Sequence, residues 1–205
     1  MVLEIGSRKP RKSSVEPFIY PMKRLLMLLT ALLLVGCGQP NKNFYVLTAS
    51  GPVPSGGGIG IGVGPVSLAE YLDRPNLVIQ QAPNQLAVSD DHRWAGDLSA
   101  SIARVTAANL GRALKTGNVR TYPWQHDDEI RYQVTLDIRQ LHSEADGYAV
   151  IEAGWRAYSL PDRHLKASRT FVDREPLESD GYNASVAAQS RLLGRLAENI
   201  AVGLR

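Results

Sequence analysis

The stretch Ile130-Arg131-Tyr132-Gln133-Val134-Thr135-Leu136-Asp137-Ile138-Arg139-Gln140 decides the fold. Ile130, Tyr132, Val134, Leu136 and Ile138 alternate with Arg131, Gln133, Thr135, Asp137 and Arg139, which is the two-residue period of a strand with one buried and one wet face. Downstream, Asp146-Gly147 is a strong turn signal and leads into residues 148–160, where Ala149, Ile151, Ala153, Trp155 and Ala157 make a second inward face. Two long alternating strands joined by a short turn predict an antiparallel hairpin. A further strand over residues 165–172 follows the Pro161-Asp162 turn.

On both flanks the period becomes helical. Over residues 97–115, Leu98, Ile102, Val105, Leu110, Ala113 and Leu114 fall on one arc, opposite Asp97, Ser101, Arg104, Arg112 and Lys115, and Gly117-Asn118 is expected to end the helix. Residues 183–204 repeat the pattern, with Val186, Leu193, Leu196, Ala197, Ile200 and Leu204 inward and Arg191, Arg195 and Glu198 outward. Shorter strands are expected over residues 44–47, over 77–81 and 85–88 around Ala82-Pro83-Asn84, and over 119–122. The segregation of strands and helices predicts an α+β domain, a mainly antiparallel sheet packed with two amphipathic helices.

Residues 59–66 read Ile-Gly-Ile-Gly-Val-Gly-Pro-Val. Ile59, Ile61 and Val63 share one side of a strand, and Gly60, Gly62 and Gly64 leave the other side bare. No Gly-Lys-Ser/Thr follows and the dinucleotide spacing is not met, so close approach of another backbone is expected in place of a phosphate site. Residues 49–58, with Pro52, Pro54 and three glycines, read as a loop.

The 205 residues contain 44% hydrophobic and 21% charged side chains. That balance excludes collagen, a long coiled coil and a multispan membrane protein. The first 36 residues hold Arg8, Lys9, Arg11, Lys12, Lys23 and Arg24 against Glu4 and Glu16. The remainder is therefore near neutrality, and the sequence pI of about 9.1 is no indication of nucleic-acid binding. Lys23-Arg24 precede the apolar run 25–35, which would make a helix of roughly 16 Å against a hydrocarbon core of about 30 Å. The run suits the apolar segment of a secretory leader. It ends in Leu34-Val35-Gly36 and the single cysteine, Cys37, a pattern that resembles the lipobox of bacterial lipoproteins. The expected organisation is an upstream extension without a fold over 1–21, Met22 being the suspected start, then a lipoprotein signal peptide over 22–36. A lipidated tether over 37–43 and the domain over 44–205 follow. If Cys37 carries palmitate-class acyl chains, each buried methylene contributes about 0.8 kcal/mol to membrane binding. Gly38, where an Asp would favour inner-membrane retention, favours sorting to the outer membrane.

Chemistry-bearing constellations are sparse. His92, His126, His142 and His164 have neither metal-ligand spacing nor a cysteine partner, and each is read as a solvated imidazole near a turn or strand end. Asp127-Asp128-Glu129 lacks the alternation and glycine of a calcium loop. No serine sits in a nucleophile elbow, and Ser190 reads as a mildly polar helix position. No enzyme, metal or cofactor is expected. Tyr71-Leu72-Asp73-Arg74-Pro75 is either a recognition loop or a stabilised turn, and Trp94 and Trp124 each either anchor a partner or seat in the core.

Several of these segments, in order, resemble the ABC-type transport auxiliary lipoproteins, the PqiC-like family. They are Phe44-Tyr45-Val46-Leu47, Ile61-Gly62-Val63-Gly64-Pro65-Val66, Tyr71-Leu72-Asp73-Arg74-Pro75 and Arg93-Trp94-Ala95, followed by Tyr122-Pro123-Trp124, Tyr132-Gln133-Val134, Ala153-Gly154-Trp155 and the Ala-rich helix from Tyr182. Gly96 departs from the family, where an acidic residue is expected. The resemblance implies a non-catalytic, lipid-anchored domain facing the periplasm from the outer membrane. It further implies that an MCE-domain protein and inner-membrane transport components are the partners in moving lipid, and it allows a homo-oligomer. By analogy, Tyr71, Leu72, Asp73, Arg74, Pro75 and Trp94 are the candidate partner contacts. An alternative reading is a periplasmic carrier that binds a lipid or small apolar ligand itself, which requires an apolar cavity of several hundred Å³.

Overall fold

The computed structural model describes residues 41–54, 57–124 and 129–205, and its axis is strand β6 (Ile130–Glu144). One edge of β6 is paired along its length with β7 (Tyr148–Ser159), and β7 in turn pairs with β8 (His164–Pro176). These two ladders are antiparallel, as the alternation and the Asp146-Gly147 turn predict. The other edge of β6 is shared. Its first half takes β2 (Gly60–Leu68) from Ile61↔Tyr132 to Leu68↔Ile138, and its end takes β3 (Asn76–Ala82) at Ile79↔Ser143. Beyond β3 lie β4 (Gln85–Trp94) and the three-residue β1 (Asn43–Tyr45), while β5 (Val119–Thr121) borders β2.

The sheet is mixed, which corrects the expectation of a mainly antiparallel one. β1–β4, β2–β5, β2–β6 and β3–β6 are parallel, while β3–β4, β6–β7 and β7–β8 are antiparallel. The reason is connectivity. Short turns can join only antiparallel neighbours, whereas β2 and β6 are separated in the chain by a hairpin and a helix, and such long connections permit parallel pairing.

Helix α1 (Leu98–Leu114) starts where the Asp97 carboxylate accepts from the Ala100 amide at 2.7 Å and from the Ser99 hydroxyl at 2.6 Å. These bonds hold the Asp97 carboxyl below the usual carboxylate range, and a cap of this kind contributes about 1 kcal/mol. The helix stops earlier than Gly117-Asn118 suggests, because Lys115 adopts the left-handed conformation and its amide turns back to the Arg112 carbonyl. Helix α2 (Tyr182–Leu204) follows Gly181.

Both helices cover one face of the sheet. Ile61, Val63, Val134, Leu136, Ile138, Ile151 and Trp155 meet Ile102, Leu110, Leu192, Leu193, Leu196 and Ile200 in one buried cluster. Each such side chain contributes roughly 1.5–3 kcal/mol when fully removed from water. The Trp155 indole N–H donates to Asn199 Oδ1 at 3.0 Å, and its ring lies against Gly203, where any β-carbon would collide with it. Ion pairs fasten α2 to β8. Arg195 binds Asp173 at 2.6 Å and Glu175 at 2.5 Å, and Arg191 binds Glu175 at 2.6 Å and Glu178 at 3.1 Å. Arg195, then Arg191, holds the Glu175 carboxyl below its ordinary range.

Candidate functional site

The face of the sheet away from the helices is where the sequence-selected residues converge. Alternation assigns Ile61 and Val63 to the helix side, so Gly60, Gly62 and Gly64 point to the opposite side. The glycines are covered, by two kinds of neighbour. A β-carbon on Gly60 would strike the Glu129 carbonyl, which is the close backbone approach expected for this strand. At Gly62, a β-carbon would lie 2.5 Å from the Trp124 ring. Gly64 has a φ of +123°, and a β-carbon there would lie 2.6 Å from the Tyr122 β-carbon. The bare strand is thus a seat for Tyr122-Pro123-Trp124, with Trp124 half-buried on it and Tyr122 exposed in an edge-on contact with the Trp124 ring.

The Tyr71 turn covers the other half of the same face. His142 stands opposite Val150, a position on the helix-free side of β7, and the Tyr71 hydroxyl reaches it. The hydroxyl lies 3.1 Å from His142 Nδ1 and 3.1 Å from the Arg139 carbonyl, and His142 Nε2 lies 2.9 Å from Gln80 Oε1. A neutral imidazole that donates from Nε2 to Gln80 leaves Nδ1 as an acceptor, so the single Tyr71 hydroxyl proton is shared between Nδ1 and the Arg139 carbonyl. Burial pushes the His142 pKa down, in keeping with that neutral form. The Tyr71 phenol is pushed up to about 12, first by burial and then by the Glu152 charge.

Of the six candidate contacts, two turn inward. Leu72 is 3% exposed and Trp94 7% exposed, both within the core cluster, and the Trp94 amide donates to the Pro75 carbonyl at 2.7 Å. Their side chains therefore hold the turn in place and are not available to a partner. Tyr71 is half-buried, while Asp73, Arg74 and Pro75 are exposed at the tip. Gly96, exposed with open space around it, leaves no packing defect. Cys37 and the cleavage motif Leu34, Val35 and Gly36 lie outside the described residues, as do His126, Asp127 and Asp128.

The histidine reading needs correction. His142 is 2% exposed, and His92 stacks on Tyr182 at 3.8 Å while its Nδ1 meets the Tyr45 hydroxyl at 2.7 Å. Polar sequence neighbours conceal this, because the partners lie on strands and helices distant in the chain. His164 is exposed, as expected. Ser190 is buried, donating to the Val186 carbonyl and accepting from the Thr48 amide. Among the described residues no cluster of metal-ligating side chains occurs, and no helix is long and apolar enough to cross a membrane.

Surface grooves large enough to hold a small molecule include two with strongly polar lining. One, of about 600 Å³ between the helices, is lined by Arg112, Arg191, Arg195 and Glu198 among others. Two of those arginines are already neutralised by the carboxylates of β8 and the residues after it. The other, of about 500 Å³ on the helix-free face, is lined by Ser67, Thr135, Asp137, Arg139 and Arg156 around Gly154. Both present charged and hydroxyl groups, which is the wrong lining for an apolar ligand.

The model of the ABC-type transport auxiliary lipoprotein component family matches residues 45–201, so the chain belongs to that family. No curated protein matches it. Among solved structures, an uncharacterised protein is similar at a TM-score of 0.68 and 20% identity, over 80% of this chain and 99% of that one. A Xanthomonas campestris protein of the DUF330 family is similar at 0.61 and 21% identity, over 78% and 92% of the two chains. At these identities the likeness shows the fold.

Proposed function

We propose that this transport auxiliary lipoprotein is a non-catalytic docking subunit of an intermembrane lipid-transport system, held at the outer membrane by acylated Cys37 with its domain facing the periplasm. The carrying observation is the family match over residues 45–201, which begins eight residues after a cysteine preceded by Leu34-Val35-Gly36. The partner is an MCE-domain protein working with inner-membrane components, and the resemblance allows copies of the chain to form a homo-oligomer. Anchoring concentrates the subunit near its partner, so contacts weak in free solution suffice. The exposed tip Asp73-Arg74-Pro75 is the part of the candidate segment free to make such contacts, and Tyr71, Leu72 and Trp94 hold it in register.

Co-purification with a tagged MCE-domain partner tests this. The wild-type chain is expected to be recovered with the tag, and Arg74→Glu to weaken recovery about tenfold, equivalent to ~1.4 kcal/mol. No recovery of the wild-type chain in the presence of intact partner refutes the docking role. Separately, Cys37→Ser is expected to abolish palmitate labelling and to release the chain from the membrane fraction.

A further inference from the structure

Phe44 of β1 and the nearby Val46 are exposed apolar side chains, where the exposed side of β6 is charged. Phe44 on β1 and Val46 just past its end turn outward, 63% and 57% exposed, while Tyr45 and Leu47 turn inward. An outward row on a strand at the rim of a sheet is ordinarily polar, whereas the exposed outward positions of the central strand β6 are charged, at Arg131, Asp137 and Arg139. Phe44 lies seven residues after Cys37. A fully extended chain of seven residues reaches roughly 25 Å, so Phe44 cannot stray farther than that from the acylated residue. Exposed Lys42 lies between the two, and Arg93 stands beside Phe44 in the β1–β4 register. Cations beside exposed apolar side chains suit the boundary between lipid phosphates and acyl chains.

We propose that Phe44 and Val46 insert into the interfacial region of the bilayer that holds the acyl chains, and so turn the β1–β4 rim of the sheet toward the membrane. The proposal rests on the acylation of Cys37 and adds to it an orientation, since a lipid tether alone would leave the domain free to tumble.

A single-site probe tests it. The chain has one cysteine, consumed by acylation, so Phe44→Cys supplies the only free thiol for a bimane dye. Val172→Cys, 70% exposed on β8, is the control on the opposite rim. Both acylated full-length variants are placed in phosphatidylethanolamine–phosphatidylglycerol vesicles containing brominated lipid. The dye at 44 is expected to shift to the blue and to be quenched at least about twofold more than the dye at 172. Equal, water-like emission at both sites, with palmitate labelling of Cys37 intact, overturns the membrane contact alone. Absence of palmitate overturns the anchor and the contact together. Shielding of position 44 in an unacylated variant in buffer without vesicles assigns the apolar row to a second copy of the chain, and also overturns the proposal.

Discussion

The two faces of the sheet use the same device, an indole ring laid on a glycine, with opposite degrees of closure. On the helix side Trp155 is fully buried, its N–H bonded to Asn199 and its ring pressed on Gly203 of α2. On the other side Trp124 sits on Gly62, half in solvent, beside exposed Tyr122. The first contact joins a helix to the core, and a long amphipathic element surrounds it. The second joins a connecting segment to a strand. The helix side therefore carries the larger share of the packed core.

Substitutions at the two seats separate these roles. Trp155→Ala leaves a cavity beneath α2 and is expected to cost about 3–5 kcal/mol in urea denaturation; a loss under about 1 kcal/mol would mean that α2 does not depend on this contact. Gly62→Val drives a branched side chain into the Trp124 ring, and a loss of about 1–3 kcal/mol is expected. The expelled ring should also shift its fluorescence to the red, and the double variant Gly62→Val with Trp124→Ala, which removes the clash, should recover part of that loss. Trp124→Ala alone removes only a half-exposed ring, with an expected cost of about 1 kcal/mol.

A smaller effect concerns the Tyr71 turn, the other cover on the helix-free face. Burial lowers the folded-state pKa of His142, so the unfolded chain takes up a proton more readily than the folded one. The stabilising contribution is therefore complete above the unfolded value, near 6.5, and diminishes as pH falls through and below it toward the folded pKa. His142→Gln should flatten the pH dependence of stability in that window, which denaturation at pH 7.5 and 5.5 would measure. An unchanged slope would assign the acid sensitivity to other groups.

How far the sequence discloses these features depends on how locally each is encoded. The β6–β7 hairpin was legible, since alternation and turn chemistry both act between chain neighbours. The alternation fails after Ile138, where a register shift precedes Gln140 and Leu141, His142 and Ser143 are all buried. Those three are enclosed by elements from elsewhere, including the Tyr71 turn and the start of α2, where Ser185 bonds Ser143. No local pattern reports such neighbours. The parallel pairings were hidden for the same reason. The glycine strand was half legible, in that its empty face predicted a close neighbour but could not name Trp124. Among the candidate contacts, Leu72 and Trp94 carry the signature of a buried anchor and of an exposed hot spot equally well, and only tertiary packing decides between them.

The clasp between α2 and β8 bears on how the rim behaves in solution. Among the described residues β8 has a strand on one side only, so its outer amides lack the second ladder that protects those of β6. Arg191 and Arg195 restrain this rim through carboxylates, and attraction of that kind weakens as the Debye length contracts from about 10 Å at 0.1 M salt to about 3 Å at 1 M. Raising the ionic strength should therefore quicken hydrogen–deuterium exchange along β8 before it quickens exchange in the interior, making the rim a separately adjustable margin of an otherwise rigid sheet.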